Sequence, residues 1–243
     1  MKSWMMVGGQ VIFTVLMYCM GALFFGLALV PGLTLVFEAW KGTAVMPPLT
    51  RMFFLGCSIA LGYFIFGLTL ILLVGTFRTL FRLRLQEGNY PLFSWQALQW
   101  AFVSSLYLMI NFTFILLTPF ANLLFRLLGA KLGRNVQFNS KFVFDATLLE
   151  IGDNTVVGGG AIIIGHIVER GLLRLKKVKI GRNVTIGSHA TIMPGCEIGD
   201  GAIIGASAVL LKDTKVGRRQ IWFGIPAEEL KRNSIKEAEA AQG

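Results

Sequence analysis

A chain of 243 residues that is 54% hydrophobic and only 15% charged, with a mean hydropathy of +0.65, does not have the composition of a soluble enzyme. Its net charge of +10 is unevenly carried: residues 1–130 hold seven basic and two acidic residues, and residues 131–243 hold sixteen and eleven. A charge-poor membrane part joined to a soluble part is implied. The three cysteines, Cys19, Cys57 and Cys196, imply neither a disulfide framework nor a metal cluster.

Met5 to about Val30 and Met52 to about Phe77 contain no charged side chain. Each exceeds the ~20 apolar residues needed to cross a bilayer, and both read as transmembrane helices. The first is too long for a cleaved signal peptide, and no small-x-small cleavage site follows it. Arg78, Arg82 and Arg84 come straight after the second span, whereas the connection between spans sets only Lys41 and Arg51 against Glu38. That excess marks the Arg78 side as cytoplasmic. Residues 1–90 are thus a membrane domain with a basic cytoplasmic link.

The next apolar region, Pro91 to about Leu128, contains Trp95, Trp100, Ser104, Ser105, Asn111 and Thr113, and is broken by Pro119. A single crossing would put Arg78, Arg82 and Arg84 on the opposite side from Arg126, Lys131 and Arg134, against the positive-inside tendency. Residues 91–129 are therefore expected to form a re-entrant or interfacial helical hairpin, with Trp95 and Trp100 near the headgroups. Two further spans would keep the same sidedness.

From Val178 to Trp222 one large apolar residue recurs at every sixth position: Ile180, Ile186, Ile192, Ile198, Ile204, Leu210, Val216 and Trp222. This period fits neither a helix nor an alternating strand, and it predicts a parallel β-helix with roughly 18 residues to each triangular coil. The period begins earlier, at Leu132, Phe138 and Phe144; a seven-residue step leads to Ile151, and Val157 and Ile163 restore it. It then fails between Ile164 and Lys177, so a loop leaves the wall there, as insertions on functional faces of solenoids do. The β-helix is assigned to residues 130–226, and residues 227–243 to a C-terminal helix and tail.

The repeat, with Trp222-Phe223-Gly224-Ile225-Pro226-Ala227 and a charged tail after it, resembles the left-handed β-helix hexapeptide acyltransferases over about residues 130–232. That group includes galactoside, maltose and serine acetyltransferases. The resemblance implies an all-β left-handed solenoid closed by a short C-terminal helix, and a homotrimer with sites shared between neighbours. It also implies acyl-coenzyme A as co-substrate, its pantetheine arm near Gly205, Ser207 and Lys212 and its adenine end near Gly224 and Ala227. A second resemblance lies in the link: Arg82-Leu-Arg84-Leu-Gln-Glu-Gly88-Asn-Tyr90-Pro91-Leu-Phe-Ser94-Trp95, with Arg126-Leu-Leu-Gly129-Ala-Lys-Leu-Gly133 after the apolar stretch, is similar to the membrane-embedded C-terminal region of ε-poly-lysine-synthetase-type peptide synthetases. This one implies a carrier-protein thioester as the other possible acyl donor.

The chain has two histidines, His166 and His189. Acyl transfer from a thioester to a hydroxyl or amine needs a base that titrates near neutrality, for which histidine is the usual side chain. The acyltransferases resembled here place their catalytic histidine at the start of the excursion, where His166 stands. His189 falls in the regular repeat and reads as a turn residue. Glu169, three residues on, either orients the imidazole or is a solvated carboxylate. Asn139 and Asp145 resemble acceptor-contacting positions.

Arg170, Arg174, Lys176, Lys177, Lys179 and Arg182 suit coenzyme A phosphates, anionic membrane lipids or a plain solvated face. Nucleic acid is not expected, because no stacking platform or recognition helix accompanies the charge. A zinc site of three histidines does not fit two. The expectation is a membrane-bound acyltransferase of bacterial inner-membrane type with a cytoplasmic catalytic domain. The alternative is a non-catalytic β-helix that trimerises a membrane assembly.

Overall fold

In a computed structural model that describes residues 2–110 and 118–230, the six-residue period becomes three walls of parallel strands. Lys131–Leu132, Leu149–Ile151, Val178–Ile180, Glu197–Ile198 and Lys215–Val216 stack in the first wall. The second runs from Gln137–Phe138 to Ile221–Phe223, and the third from Phe142–Val143 to Val209–Leu210. Ile180 pairs with Ile198, Ile186 with Ile204 and Ile192 with Leu210, each one coil of 18 residues further on. These side chains are buried in an apolar column, and Trp222 in the last coil stays half-buried.

Coils stack through backbone hydrogen bonds such as Gly187 N–H to the Ile204 carbonyl, 2.7 Å. The approach is close at the corners: a Cβ on Gly187 would lie 2.4 Å from the Ala206 nitrogen. Only glycine fits there without moving the neighbouring backbone.

On the outside of the first wall the charge alternates from coil to coil. Lys131, Glu150, Lys179, Glu197 and Lys215 form one column, with Lys131–Glu150 at 2.9 Å and Lys179–Glu197 at 2.8 Å. Three residues further along each coil a second column repeats the signs: Arg134, Asp153, Arg182, Asp200 and Arg218. Asp153 accepts from the Arg134 backbone N–H, and Asp200 from the Arg182 backbone N–H and the Arg218 guanidinium. Opposite charges side by side favour this stacking order, and a slip of one coil would pair like with like.

The first coils are not regular. Val143, not Phe144, is the inward residue of the third wall, in register with Ile163; Phe144 is half-buried. The extra residues before Ile151 are taken up by Asp145, in the left-handed conformation (φ 57°, ψ 47°), and a 3-10 turn, Ala146–Leu148.

The chain divides into two compact units, Met1–Phe81 with Ser105–Phe114, and Arg82–Ser104 with Ile115–Gly243. In the first, α1 (Lys2–Gly42) and α2 (Pro48–Leu80) are joined by a short turn; each has a stretch long and apolar enough to cross a membrane. They touch at Gly32 and Gly62, where a Cβ on Gly32 would lie 2.8 Å from the Gly62 carbonyl oxygen. Small residues permit such backbone contact between apolar helices.

Of residues 91–129, expected as a helical hairpin, Trp95–Ile110 forms α3 and Pro119–Leu127 forms α4; Asn111 and Thr113 lie outside the described residues. The boundary between units falls within α3. α4 starts on Pro119, whose missing N–H costs nothing in a first turn. It covers the first coil with Ala121, Leu124 and Phe125, and the Phe125 ring lies 4.5 Å from that of Phe138. Capping of this kind closes the apolar end of a solenoid.

The link, expected to belong with residues 1–90, groups instead with the second unit from Arg82 on. Gly88–Pro91 is a strand paired antiparallel with Leu172–Leu175 in the excursion. At the other end, the helix expected from Ala227 does not start there. Glu228–Glu229 turns back as a strand on Trp222–Phe223, because Gly224 at φ 97° reverses the chain; residues 231–243 lie outside the described residues.

Candidate active site

The excursion is a β-hairpin, His166–Glu169 against Leu172–Leu175. Its two turn residues, Arg170 and Gly171, both have positive φ (50° and 77°), which matches the twist of the two strands. The hairpin does not stand free. Leu173 and Leu175 are buried with Leu85, Ala97, Val103 and Leu148, and Tyr90 and Trp100 pack against them. Residues 91–129, which read as a membrane-associated hairpin in sequence, therefore contribute Ala97, Trp100 and Val103 to the packing under this loop.

His166 is the hairpin's first residue, and its Nδ1 lies 2.5 Å from Oδ2 of Asp145. The Asp145 side chain is fully buried and that of His166 is 26% exposed. Three hydrogen-bond partners surround the carboxylate: the imidazole, the Gly165 backbone N–H at 2.9 Å to Oδ2, and the Trp100 indole N–H at 3.0 Å to Oδ1. The indole ring also lies against the imidazole, with centroids 4.7 Å apart. Gly165 has little room for a side chain, since a Cβ would meet Asp145 and Leu148 at 3.1 Å. With Nδ1–H donating to the buried carboxylate, Nε2 keeps its lone pair.

The other residues singled out in the sequence fall in different places. Glu169 faces away from this role: Lys212 Nζ donates to both its oxygens at 2.6 and 2.8 Å, and Arg174 lies at 3.6 Å. Asp145 is the carboxylate at the imidazole. Asn139 is exposed at a corner beside Gly159, and His189 is an exposed corner residue at φ 59°, its ring over Gly160.

Gly205, Gly224 and Ala227 come together on the last coils. Gly205 N–H donates to the Trp222 carbonyl, Val209 N–H to Gly224, and Ala227 N–H to Val209. Ser207 occupies an exposed corner, and Lys212 is held by the hairpin instead. The basic cluster is largely paired: Lys176 with Asp213 at 2.6 Å, Lys177 with Glu87 at 3.6 Å, Lys179 with Glu197.

A family model described as bacterial transferase hexapeptide (six repeats) matches residues 177–212. The YvoF protein of Bacillus subtilis (strain 168), which bears an acetyltransferase name, is 34% identical over 133 residues, covering 50% of this chain and 77% of YvoF. The chain belongs to the hexapeptide-repeat acyltransferases. Its solenoid is the left-handed β-helix of that family. This acyltransferase is also 28% identical over 110 residues to the delta-poly-L-ornithine synthetase of Acinetobacter baumannii (strain AB307-0294), 45% of this chain but only 8% of that protein. A solved galactoside acetyltransferase in complex with coenzyme A is 34% identical, with a TM-score of 0.36, covering 41% of this chain and 53% of that one.

Within this candidate site, sequence reasoning missed Asp145 as the imidazole's partner, and Trp100 as a member of the site. The signal for Asp145 was the slip in the repeat between Phe138 and Ile151: a solenoid breaks its period where a side chain is needed at a particular place.

Proposed function

We propose that this chain transfers an acyl group, acetyl in the first instance, from the thioester of coenzyme A to a hydroxyl or amine acceptor, with His166 as general base. The observation that carries the reading is the buried Asp145 carboxylate on Nδ1 of His166, which leaves Nε2 free to take a proton.

His166 Nε2 removes the proton of the acceptor as its oxygen or nitrogen attacks the thioester carbonyl carbon. Asp145 stabilises the imidazolium that forms. When the C–S bond breaks, His166 returns that proton to the departing sulfur, so the base is regenerated and the thiol leaves neutral. Backbone N–H groups at the coil edge are suited to hold the charge that develops on the carbonyl oxygen. No covalent enzyme intermediate is needed.

In this reading α1 and α2 span the inner membrane, the β-helix assembles as a homotrimer, and the site faces the cytoplasm, where acyl thioesters of coenzyme A and of carrier proteins are made. A merely structural trimerisation module has no use for a buried carboxylate, held by three partners, on Nδ1 of a partly exposed histidine.

The test uses the purified full chain in detergent, with acetyl-coenzyme A and an extract of the producing cells as acceptor pool. Thiol release that depends on the extract supports transfer. Trimers in sedimentation that release no thiol would identify an assembly module.

A further inference from the structure

The Trp100 indole makes two contacts at once, a hydrogen bond from Nε1–H to Asp145 Oδ1 at 3.0 Å and a ring contact with His166 at 4.7 Å between centroids. It comes from α3, outside the solenoid, and shares its core with Leu173 and Leu175 of the His166 hairpin. Its N–H is needed by the carboxylate. Asp145 has no exposed side-chain surface, so each oxygen must find its donors within the protein. Oδ2 has Gly165 N–H and the imidazole; the donor to Oδ1 is Trp100.

We infer that Trp100 is a positioning residue for the transfer reaction: its indole N–H fixes the rotation of the Asp145 carboxylate, and through it the Nδ1–H tautomer of His166. The inference rests on the reading of His166 as base. The physical reason is that an aspartate carboxylate turns freely about its last bond unless both oxygens are held. With Oδ1 tethered to Trp100, Oδ2 stays in line with Nδ1. Without that tether a buried oxygen is left unpaired, and the carboxylate rotates or draws in water to satisfy it. The imidazole then loses the acceptor that keeps its proton on Nδ1, and Nε2 takes the proton part of the time. A histidine protonated at Nε2 and neutral at Nδ1 cannot act as a base toward an acceptor at Nε2.

Two histidines in the whole chain make the tautomer directly observable. The full chain, purified without a histidine tag and labelled with nitrogen-15 histidine, is measured in detergent micelles at rising pH until the spectrum no longer changes. Spectra of His166→Gln and His189→Gln assign the signals. The wild type is expected to show His166 as the Nδ1–H tautomer. Trp100→Phe, and a benzothienylalanine at position 100 that keeps the ring shape but replaces N–H with sulfur, are expected to cut the Nδ1–H to Nε2–H ratio at least fivefold.

Thiol release from acetyl-coenzyme A should fall at least tenfold in kcat in both, with the KM for acetyl-coenzyme A within twofold. The isostere keeps the packing, so a purely structural role would leave it as wild type, and it covers the case in which Trp100→Phe does not fold. An unchanged ratio in the folded isostere overturns the inference, as does an unchanged kcat. The reading of His166 fails separately: it is lost if His166→Gln retains activity, or if the wild type itself carries the proton on Nε2.

Discussion

Asp145 and His166 are 21 residues apart in sequence and meet at 2.5 Å, because the aspartate leaves the third wall at its irregular corner just where the hairpin departs one coil later. The left-handed backbone at Asp145 aims its carboxylate at the hairpin's first residue. Asparagine tolerates that backbone and fills the same volume, so Asp145→Asn should fold. Its NH2 must face a donor in either orientation, the Gly165 N–H at the place of Oδ2 or the Trp100 indole N–H at that of Oδ1; in the first it donates to Nδ1 and puts the proton on Nε2. A fall in kcat on the order of 10⁴, the scale seen when a serine-protease aspartate is changed this way, is expected in a thiol-release assay, with a lowered melting temperature from the buried N–H left without an acceptor, worth about 1–3 kcal/mol.

Glu169 gives a contrasting case. Its carboxylate belongs to Lys212, which ties the hairpin to the solenoid, and to Arg174 on the facing hairpin strand; the Lys212 hydrogen bond first holds Glu169 below the usual carboxylate range. Glu169→Gln and Lys212→Ala should each lower kcat less than about tenfold, since exposed ion pairs contribute little. A collapse equal to that of Asp145→Asn would return the orienting role to Glu169.

The alternating charges of the first wall predict how the solenoid responds to acid. Glu150 is held below the ordinary range by the hydrogen bond from Lys131, Glu197 by that from Lys179, and Asp200 by the Arg182 backbone N–H and then Arg218. A lowered carboxylate contributes stability above its unfolded value of roughly 4, and that contribution is lost as the pH falls through the lower folded value. Lys179, raised by Glu197, contributes below its own unfolded value of about 10.4 and ceases to do so as the pH rises past the folded one. The melting temperature should therefore stay flat between about pH 5 and 8 and drop below about pH 4. In Glu150→Gln with Glu197→Gln the acid drop should be visibly shallower; an unchanged acid limb would show that the ladder is not its source.

The solenoid was legible because inward residues are imposed by geometry. Every coil needs an apolar residue at the same place, so Ile180 to Val216 announce themselves in any single sequence. The alternation of Lys131, Glu150, Lys179, Glu197 and Lys215 was equally present but spaced by whole coils, beyond the range at which charge patterns are usually sought. Trp100 was not legible. A tryptophan in an apolar run reads as an interfacial anchor, and nothing near position 100 in the sequence shows that its indole N–H meets Asp145, 45 residues on. Gly88-Asn-Tyr-Pro91 has no strand alternation either; it is a strand because Leu172–Leu175 offers it an edge.

The proposed sidedness rests on the arginines after α2, Arg78, Arg82 and Arg84. A cysteine at Arg219, an exposed corner of the β-helix, in a background lacking Cys19, Cys57 and Cys196, should resist a membrane-impermeant maleimide in intact cells and react after lysis. Labelling in intact cells would place the β-helix outside and remove coenzyme A as direct donor.

The central claim is that His166, and not His189, moves the proton in acyl transfer. Radiolabelled acetyl-coenzyme A is incubated with the detergent-purified full chain and an extract of producing cells, and transfer of label is compared for wild type, His166→Ala and His189→Ala at equal protein and equal trimer content. Label transfer should fall by at least about 10³-fold in His166→Ala, within the usual contribution of a general base, and stay within twofold of wild type in His189→Ala. Transfer by His166→Ala at the wild-type rate would contradict the account.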